Sequence, residues 1–362
     1  MKKILCVAST ISHILNFHMP YINALKQEPE NYQVFTMAKG DGKNKLDYDI
    51  NFHKKMFSLK NLKAKKEIYK ILKKENFDVI FLNTSLAAFF VRLAVKKLKK
   101  KPIVINIAHG YLFDKKTGFV KKTLLSTAEK YVKNVTDYII TMNGEDYEYA
   151  KSHRLAKKDV FNIQGMGIQS KRTNGNAYSD DFSNGYTFTF IGELSGRKNQ
   201  GELIRFIKRL DDDGVSAKLN LVGEGGKKQE YIALSKDLGI SKNVNFLGYT
   251  KDIEKVLKQT NFYVASSKIE GLPFNIVEAM NAGQIVISAD TKGAVDIIKN
   301  GENGMIYELG NIDDFVKKFY LVKDDIKLQE KLRENAKITA KNYLIDAVFD
   351  ENISLFKKLI NS

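Results

Sequence analysis

Short apolar strand patterns separated by helical patterns occur in two series along this chain, and this alternation restricts the fold more than any other feature. The first series begins at residues 3–8 (KILCVA) and the second at residues 187–191 (TFTFI). Short apolar runs alternating with helices are typical of parallel sheets covered by helices on both faces. The 362 residues suffice for two such domains. We therefore predict an α/β protein with two doubly wound, Rossmann-like domains.

The individual elements follow from apolar periodicity. In the first series it predicts a polar loop at 9–18, strands at 3–8, 33–38, 78–82, 102–108 and 137–142, and helices at 19–27, 61–76, 85–98 and 124–132. In the second it predicts a helix at 200–210 and strands at 187–191, 219–222, 244–247, 262–265 and 285–288.

The alternation stops between Gly165 and Gly185, where the sequence is polar and rich in Asn, Ser and Gly. Such composition is typical of a connection between domains. We therefore expect an N-terminal domain at 1–168, a linker at 169–185 and a C-terminal domain at 186–344. A last amphipathic segment, at about 345–362, predicts a terminal helix.

Positive charge is concentrated in the first half of the chain. The net charge is +17, yet residues 1–175 hold 33 Lys and Arg against 15 Asp and Glu, whereas residues 176–362 hold 26 against 27. This asymmetry indicates an anionic partner for the first domain: a nucleic acid, a phospholipid surface or a phosphorylated lipid. Because 30 of the 33 basic residues are Lys and no nucleic-acid motif accompanies them, we expect no nucleic acid.

Two lysine-rich stretches, 54–74 and 85–101, combine apolar residues with Lys. They suit an anionic membrane surface or a lipid diphosphate, and equally a helix with a solvated lysine face. The start MKKILCVAST is not continued as a signal peptide, because His13, Asn16 and His18 interrupt it. The chain lacks an apolar run of about 18 residues, and its one cysteine, Cys6, excludes a disulfide framework. We expect a cytoplasmic protein, either free or peripheral at the inner face of the cell membrane.

Two carboxylates flank the start of a predicted helix in the segment SSKIEGLPFNIVEAM, residues 266–280. Glu270 lies in the turn before the helix and Glu278 in its second turn. The backbone N–H groups between Gly271 and Asn275 would be the unpaired donors of the helix start, which suit an anionic ligand. The alternative is that Glu278 merely caps or pairs on a surface helix.

This segment resembles the donor-site signature of the retaining glycosyltransferases of family 4, which have the GT-B fold. The resemblance implies two Rossmann-like domains facing across a cleft, with the terminal helix packed back onto the first. It implies that Glu278 binds the ribose hydroxyls of a nucleotide-sugar. It also implies that Glu270 and the segment after it hold the donor sugar and its phosphates; that segment consists of Gly271, Leu272, Pro273, Phe274 and Asn275.

A second loop, GELSGRKN at 192–199, resembles the family's phosphate-binding loop, which begins here at Gly192. Lys198 matches the family's lysine, but Glu193 occupies the position of its arginine. Arg197 could supply the missing charge. Basic residues at a helix N-terminus oppose the helix dipole, so an anionic ligand explains them better than a solvated helix end does.

Two more strand ends carry donor-site candidates by the same resemblance. In VGEGG, Gly223 and Glu224 resemble the turn that borders the nucleotide, although a simple tight turn explains them nearly as well. Gly248 and Tyr249 follow the next strand and correspond to a region that contacts the base.

The first domain contributes His109 and Gly110, at the end of an apolar strand. The resemblance implies that His109 faces the donor sugar and that His109 and Glu270 are the catalytic candidates. A buried structural histidine is the alternative. His18 either lines the same cleft, as Gly110 would, or caps the first helix.

Neither a cofactor nor a metal is expected. Asp211, Asp212 and Asp213 lie between a helix end and a strand start, away from the ligand-binding ends of the strands, and are interpreted as a solvated turn. No His and Cys residues have zinc-site spacing. Lys198, Arg197 and helix-start amides could compensate the charge of a departing nucleoside diphosphate without a metal.

Together these features and the resemblance imply a retaining, metal-independent hexosyltransferase. Its donor would be a UDP-sugar or another nucleotide-sugar, and its acceptor a lipid-linked or oligosaccharide chain. The variant motifs look most like bacterial capsular and exopolysaccharide transferases. A nucleotide-sugar 2-epimerase on the same fold is one alternative, and a nucleic-acid-binding protein is a weaker one.

Overall fold

The computed structural model describes residues 1–53, 56, 58–169 and 177–362. They form two compact units: residues 1–167 with 348–362 (unit 1) and residues 168–347 (unit 2). Residues 54, 55 and 57 of the first lysine-rich stretch and residues 170–176 of the predicted linker lie outside the described residues.

Within its described residues, unit 1 contains a parallel sheet of seven strands in the order β3-β2-β1-β4-β5-β6-β7. The strands are β1 (Lys2–Val7), β2 (Tyr32–Ala38), β3 (Tyr48–Asp49), β4 (Val79–Leu82), β5 (Ile103–Ala108), β6 (Tyr138–Thr141) and β7 (Asp159–Asn162). The helices are α1 (Ile11–Phe17), α2 (Met19–Lys26), α3 (Lys60–Glu75), α4 (Ser85–Val95), α5 (Phe119–Val132) and α6 (Gly144–Ser152).

The central strands of unit 1 are largely apolar, as is typical of parallel sheets that helices cover on both faces. All four residues of β4 are buried, as are the last four of β1. The strand order reverses between β1 and β4, and loops at such a switch point are the usual ligand-binding positions of doubly wound sheets.

The last helix, α14 (Ile345–Ile360), supplies residues 348–360 to unit 1. The Asn352 side chain donates hydrogen bonds to the Tyr21 hydroxyl (3.1 Å) and to the Gly165 carbonyl (2.9 Å). The Phe356 ring packs against Phe81 at the centre of the sheet. These contacts fix the end of the chain to α2 and β4.

Unit 2 contains a six-stranded parallel sheet, ordered β10-β9-β8-β11-β12-β13, in the part of the chain that is described. Its strands are β8 (Tyr186–Ile191), β9 (Ala217–Val222), β10 (Val244–Gly248), β11 (Phe262–Ala265), β12 (Ile285–Ala289) and β13 (Met305–Tyr307). Its helices are α7 (Gln200–Asp212), α8 (Lys228–Asp237), α9 (Ile253–Leu257), α10 (Phe274–Asn281), α11 (Ala294–Ile297), α12 (Ile312–Lys323) and α13 (Ile326–Lys341).

Residues 177–185, which were predicted as linker, are bonded to unit 2. The Ala177 and Ser179 amides donate to the carbonyls of Ala282 and Thr260, each at 2.9 Å. The buried Arg333 guanidinium lies 2.9 Å from an Asp180 carboxylate oxygen. This half of the polar stretch therefore forms part of the packed unit.

Two local predictions were wrong. The predicted polar loop 9–18 contains α1, because Ile11 and Ile14 lie three residues apart and both are buried. Helix α5 begins at Phe119 rather than 124. The apolar part of 85–101 is α4, most of which is buried in the core, so of the two alternatives for this stretch the structure shows the core-facing helix. No helix in the described ranges is both long enough and apolar enough to cross a bilayer.

Candidate functional site

A cavity of about 640 Å³ lies in unit 2 beyond the carboxyl ends of β8, β9 and β10. Ligands of doubly wound sheets bind at this edge, and the volume is within the range of small-molecule sites. Its lining combines backbone turns, carboxylates and one lysine: Ile191, Gly192, Glu193, Val222, Gly223, Glu224, Tyr249, Thr250, Lys251, Ile253 and Glu278.

Gly223 lets two of these strand ends approach closely. Its φ of +133° favours glycine, and a Cβ there would lie 2.1 Å from the Gly192 carbonyl oxygen. Its amide donates to the Gly248 carbonyl (2.8 Å), which ties the loops after β9 and β10 together. Any side chain at position 223 would force the loops after β8 and β9 apart. The cavity wall therefore requires glycine at this turn.

Glu278 reaches the cavity from the second turn of α10, as predicted. Asn275, one turn earlier, donates to the Ile191 carbonyl (3.1 Å) and to the buried Tyr263 hydroxyl (2.9 Å). These bonds hold the first turn of α10 against the end of β8. The side chain of Asn275 therefore positions the helix that carries Glu278.

Glu270 forms two ion pairs with the cations of the GELSGRKN loop. Lys198 Nζ lies 2.6 Å from Glu270 Oε1, and Arg197 donates to Oε2 at 2.8 Å. Burial raises the pKa of the Glu270 carboxyl, but the charges of Lys198 and Arg197 outweigh burial and hold the pKa below its usual value. Glu270 is therefore ionised at neutral pH, with both cations at its oxygens.

Backbone contacts join this ion-pair group to the cavity. The Lys268 amide donates to the Arg197 carbonyl (2.8 Å), and the Ser266 hydroxyl to the Lys198 carbonyl (3.1 Å). A Cβ on Gly192, which lines the cavity, would lie 3.7 Å from Lys198 Cε. The group Glu270, Arg197 and Lys198 thus lies beside the cavity, with the Lys198 stem next to Gly192 of the cavity lining.

The loop after Glu270 is also closely packed. A Cβ on Gly293, whose φ is +82°, would lie 2.2 Å from the Gly271 carbonyl oxygen. Leu272 is buried, and the Phe274 amide donates to the Leu272 carbonyl at 3.0 Å. That amide is therefore used within the turn that begins α10. Pro273 precedes the helix and has no N–H to offer.

Five predicted donor residues therefore line the cavity, and the ion-pair group lies next to them. The five are Gly192, Gly223, Glu224, Tyr249 and Glu278. Gly248 is at the end of β10, directly before Tyr249. Thr250, Lys251 and Ile253 were not predicted, although their place immediately after a strand end was the available signal. Glu193, where the family has arginine, also faces the cavity.

The three aspartates lie where the sequence predicts them. Asp212 ends α7, and Asp211, Asp212 and Asp213 are exposed. Asp212 pairs with Lys208, and Asp213 with Arg209 at 3.2 Å. They precede β9 and so lie at the opposite edge of the sheet from the cavity.

In unit 1, His109 follows β5 and meets two other histidines. Its Nε2 lies 3.1 Å from Nε2 of His18, and the His13 ring packs edge-on against it with centroids 4.5 Å apart. Gly110, with φ +124°, makes the turn after His109. His18 occupies the cap position between α1 and α2: its backbone N–H donates to the Ile14 carbonyl, whereas its side chain accepts no capping hydrogen bond. Of the two alternatives for His18, the helix-cap position is therefore observed, through the backbone and not through the side chain.

The sequence matches two glycosyltransferase families in succession. Residues 3–143 match "Glycosyl transferase 4-like" and residues 178–339 match "Glycosyl transferases group 1". EpsD of Bacillus subtilis, which is named as a glycosyltransferase, is 29% identical over 358 residues, 94% of this chain and 92% of EpsD. The chain belongs to the family 4 glycosyltransferases.

Two further relatives of this glycosyltransferase carry specific names. An Escherichia coli UDP-Gal:α-D-GlcNAc-diphosphoundecaprenol α-1,3-galactosyltransferase is 26% identical, covering 74% of this chain and 72% of that relative. A Campylobacter jejuni N,N'-diacetylbacillosaminyl-diphospho-undecaprenol α-1,3-N-acetylgalactosaminyltransferase is 23% identical, covering 96% of both chains.

Solved structures establish the fold of this glycosyltransferase as GT-B. The lipopolysaccharide outer core galactosyltransferase WaaB superposes with a TM-score of 0.71 at 21% identity, over 98% of this chain and 99% of WaaB. Anabaena HepE, solved with UDP and glucose, gives 0.73 at 18% identity over 99% and 100%. The enzyme is a hexosyltransferase.

Proposed function

We propose that this glycosyltransferase moves a sugar from a UDP-sugar to a lipid-linked or saccharide acceptor in the synthesis of a cell-surface polysaccharide. The main support for a nucleotide-sugar donor is the cavity of unit 2, which is lined by Glu278 and by the glycine turns at Gly192 and Gly223. A carboxylate suits ribose hydroxyls, and glycine turns let the backbone approach a nucleotide.

The ion-pair group beside the cavity is the proposed diphosphate site. Arg197 and Lys198 carry two positive charges just before α7, and the Lys198 stem lies next to Gly192 of the cavity lining. A departing diphosphate would compete with Glu270 for these cations. Two preorganised cations would stabilise the negative charge that develops on the leaving group.

The proposed reaction retains the anomeric configuration. The bond between the anomeric carbon and the phosphate oxygen breaks, and its electron pair stays on that oxygen. The acceptor hydroxyl forms its bond to the same face of the anomeric carbon and gives its proton to the leaving phosphate oxygen. Glu270 would hold the donor sugar, and His109 is proposed as the second catalytic residue.

The nature of the substrates is supported by the relatives. HepE was solved with UDP and glucose, and the two named transferases act on diphospho-undecaprenol sugars. A lipid diphosphate acceptor also agrees with the net positive charge of the first half of this chain. The relatives support neither a 2-epimerase nor a nucleic-acid-binding protein.

An anionic membrane surface is the proposed environment of that acceptor, and α5 is the face that suits it best. Phe119 and Val120 at the start of α5 are 83% and 80% exposed, and Leu124 follows one turn later. Lys121 is exposed beside them. Exposed large apolar side chains next to lysines are typical of interfacial helices, which lie in the headgroup region.

The direct test is a screen of nucleotide-sugars against the purified chain. We expect a UDP-sugar to raise the melting temperature and to be slowly hydrolysed to UDP, because bound ligand stabilises only the folded state. With a polyprenyl-diphosphate sugar added, the sugar should appear in the lipid product with its α configuration retained.

Donor incubated alone distinguishes the epimerase. A C2-epimerised donor without acceptor would contradict the proposed transfer. Protection by no nucleotide-sugar, with a properly folded protein, would contradict the donor site itself.

A further inference from the structure

Three histidines of unit 1 come together from separate elements. His13 lies in α1, His18 between α1 and α2, and His109 directly after β5. One ring nitrogen from each lies within 4.8 Å of the other two. Among residues 1–53, 56, 58–169 and 177–362, they are the one group of three or more His, Cys or carboxylate side chains so placed.

The geometry of this cluster is close to that of a tetrahedral metal site. Zn–N bonds of about 2.0–2.1 Å place the ligand nitrogens of a tetrahedral site about 3.3 Å apart. The two Nε2 atoms of His18 and His109 are 3.1 Å apart, and the largest separation in the cluster is within 4.8 Å. The His18 and His109 nitrogens already have this spacing, and the His13 nitrogen would have to move closer to them to complete a three-nitrogen face.

The hydrogen bonding leaves nitrogen lone pairs available inside the cluster. The His13 Nδ1 atom is buried and has no hydrogen-bond partner in the described part of the chain. The Nε2 atoms of His18 and His109 face each other, so one ring must donate its proton to the other. A cation at this point would use both nitrogens as ligands, after the shared proton has moved to Nδ1 of its own ring or has left to solvent.

We propose that His13, His18 and His109 form a binding site for a transition-metal dication of the zinc class. An all-imidazole set suits zinc, copper or nickel and does not suit magnesium or calcium, which prefer oxygen. Three protein ligands leave a fourth position for water. His13 and His109 are only partly buried, which gives a cation access.

This site goes beyond the proposed transfer reaction, which is metal-independent and in which His109 is a proposed catalytic residue. A bound cation would occupy the His109 ring, so we expect it to inhibit transfer. A bound cation would connect α1, the residue before α2 and the end of β5. We therefore expect it to raise the melting temperature of the protein whether or not donor is present.

The experiment is a titration of the chelator-stripped full chain with zinc by calorimetry and with cobalt by visible absorption. We expect one equivalent of either metal and the intense bands of tetrahedral cobalt. His13→Gln should weaken binding by at least about tenfold, since even indirect partners of metal ligands cost 10–100-fold. The matched control is His153→Gln, because His153 is exposed and its Nδ1 lies 3.0 Å from the Tyr149 carbonyl, outside the cluster.

His18→Gln provides a second variant, and thermal unfolding without metal checks that each variant folds. If His18→Gln does not fold, the test depends on His13→Gln alone, because the His13 ring is more exposed than the His18 ring. Absence of a one-to-one complex in the wild type would overturn the proposal. Zinc affinity that His13→Gln leaves unchanged, or that His153→Gln lowers equally, would overturn it too, since the metal would then bind elsewhere.

Discussion

Lys198 Nζ lies 2.6 Å from Glu270 Oε1, although 72 positions separate the two residues along the chain. They meet because β8 and β11, the strands that precede their loops, are neighbours in the sheet of unit 2. The contact neutralises a cation that the proposed diphosphate site requires. The strength of nucleotide binding should therefore depend on how easily the carboxylate gives up its cations.

Glu270→Gln should separate nucleotide binding from sugar transfer. The variant frees Arg197 and Lys198 from a competing carboxylate, so we expect UDP to bind more tightly than to the wild type. Transfer should nevertheless fall, because the side chain proposed to hold the donor sugar has lost its charge. Calorimetry with UDP and a transfer assay measure the two effects. Unchanged activity would contradict the assignment of Glu270.

Lys198→Ala tests the cation of the same pair. We expect the rate of transfer to fall on the order of 10²–10³-fold, as for other groups that stabilise developing charge. Lys208→Ala is the matched control, because Lys208 pairs with Asp212 at the opposite edge of the sheet. An equal loss in both variants would show that the effect of Lys198 is not specific to the site.

Glu278→Gln should weaken binding of the nucleotide, including UDP alone, because the carboxylate lines the cavity. Loss of a charged hydrogen-bond partner costs about 1.5–3 kcal/mol, roughly tenfold or more in the dissociation constant of UDP. Calorimetry with UDP measures this change in the dissociation constant directly. Glu334→Gln on the exposed face of α13 is the control, and a comparable loss there would argue against a role in the cavity.

The ion pair also predicts a pH dependence of stability. The folded pKa of Glu270 lies below its usual value of 4.5, so the pair stabilises the protein fully above that value. As pH falls through the folded pKa, this contribution is lost. The difference in unfolding free energy between wild type and Glu270→Gln should stay constant from pH 7 to about 5.5 and shrink below 4.5. Urea unfolding at each pH measures this difference in unfolding free energy. A difference that grows as the pH falls would contradict the assignment of Glu270 to a stabilising ion pair.

Much of this structure could be predicted from apolar patterning, since buried parallel strands are continuous apolar runs. The run at 78–82 became β4, and that at 262–265 became β11. Strand β3 was missed because it is two residues long, Tyr48–Asp49, and carries no pattern. The segment around His13 was wrongly predicted as a loop, because polar residues outnumber the two isoleucines that are buried in α1.

Site residues that lie in one continuous sequence motif could be predicted. Contacts between residues from distant segments of the chain could not. Glu278 and the turn at Gly223 each lie in one continuous motif. The pairing of Glu270 with Lys198 depends on strand order, which local patterns do not specify. The meeting of His13 with His109 depends on the same sheet geometry in unit 1, so spacing along the sequence gave no sign of a histidine cluster.

The buried pair Arg92–Glu129 should be a major contributor to the stability of unit 1. Arg92 of α4 donates to both carboxylate oxygens of Glu129 of α5, at 2.9 and 3.0 Å, and both residues are buried. Glu129→Ala leaves a buried guanidinium without its partner, and we expect unfolding to require about 3–5 kcal/mol less. Arg92→Met combined with Glu129→Leu should cost much less, because no charge is then left unpaired. Denaturant unfolding measures the loss of stability in the single and the double variant. Equal losses would contradict the explanation that an unpaired buried charge is the cause.

The exposed start of α5 predicts where the enzyme meets a membrane. Phe119→Ser with Val120→Ser removes two large apolar side chains beside lysines, so sedimentation with anionic liposomes should fall. Ile326→Ser is the matched control: Ile326 is 70% exposed but lies on α13 of unit 2. Neutral liposomes should bind the wild type more weakly than anionic ones, because lysines contribute about 1 kcal/mol each near an anionic surface. Equal sedimentation with both lipid mixtures, or with the α5 variant and the wild type, would exclude α5 as the membrane contact.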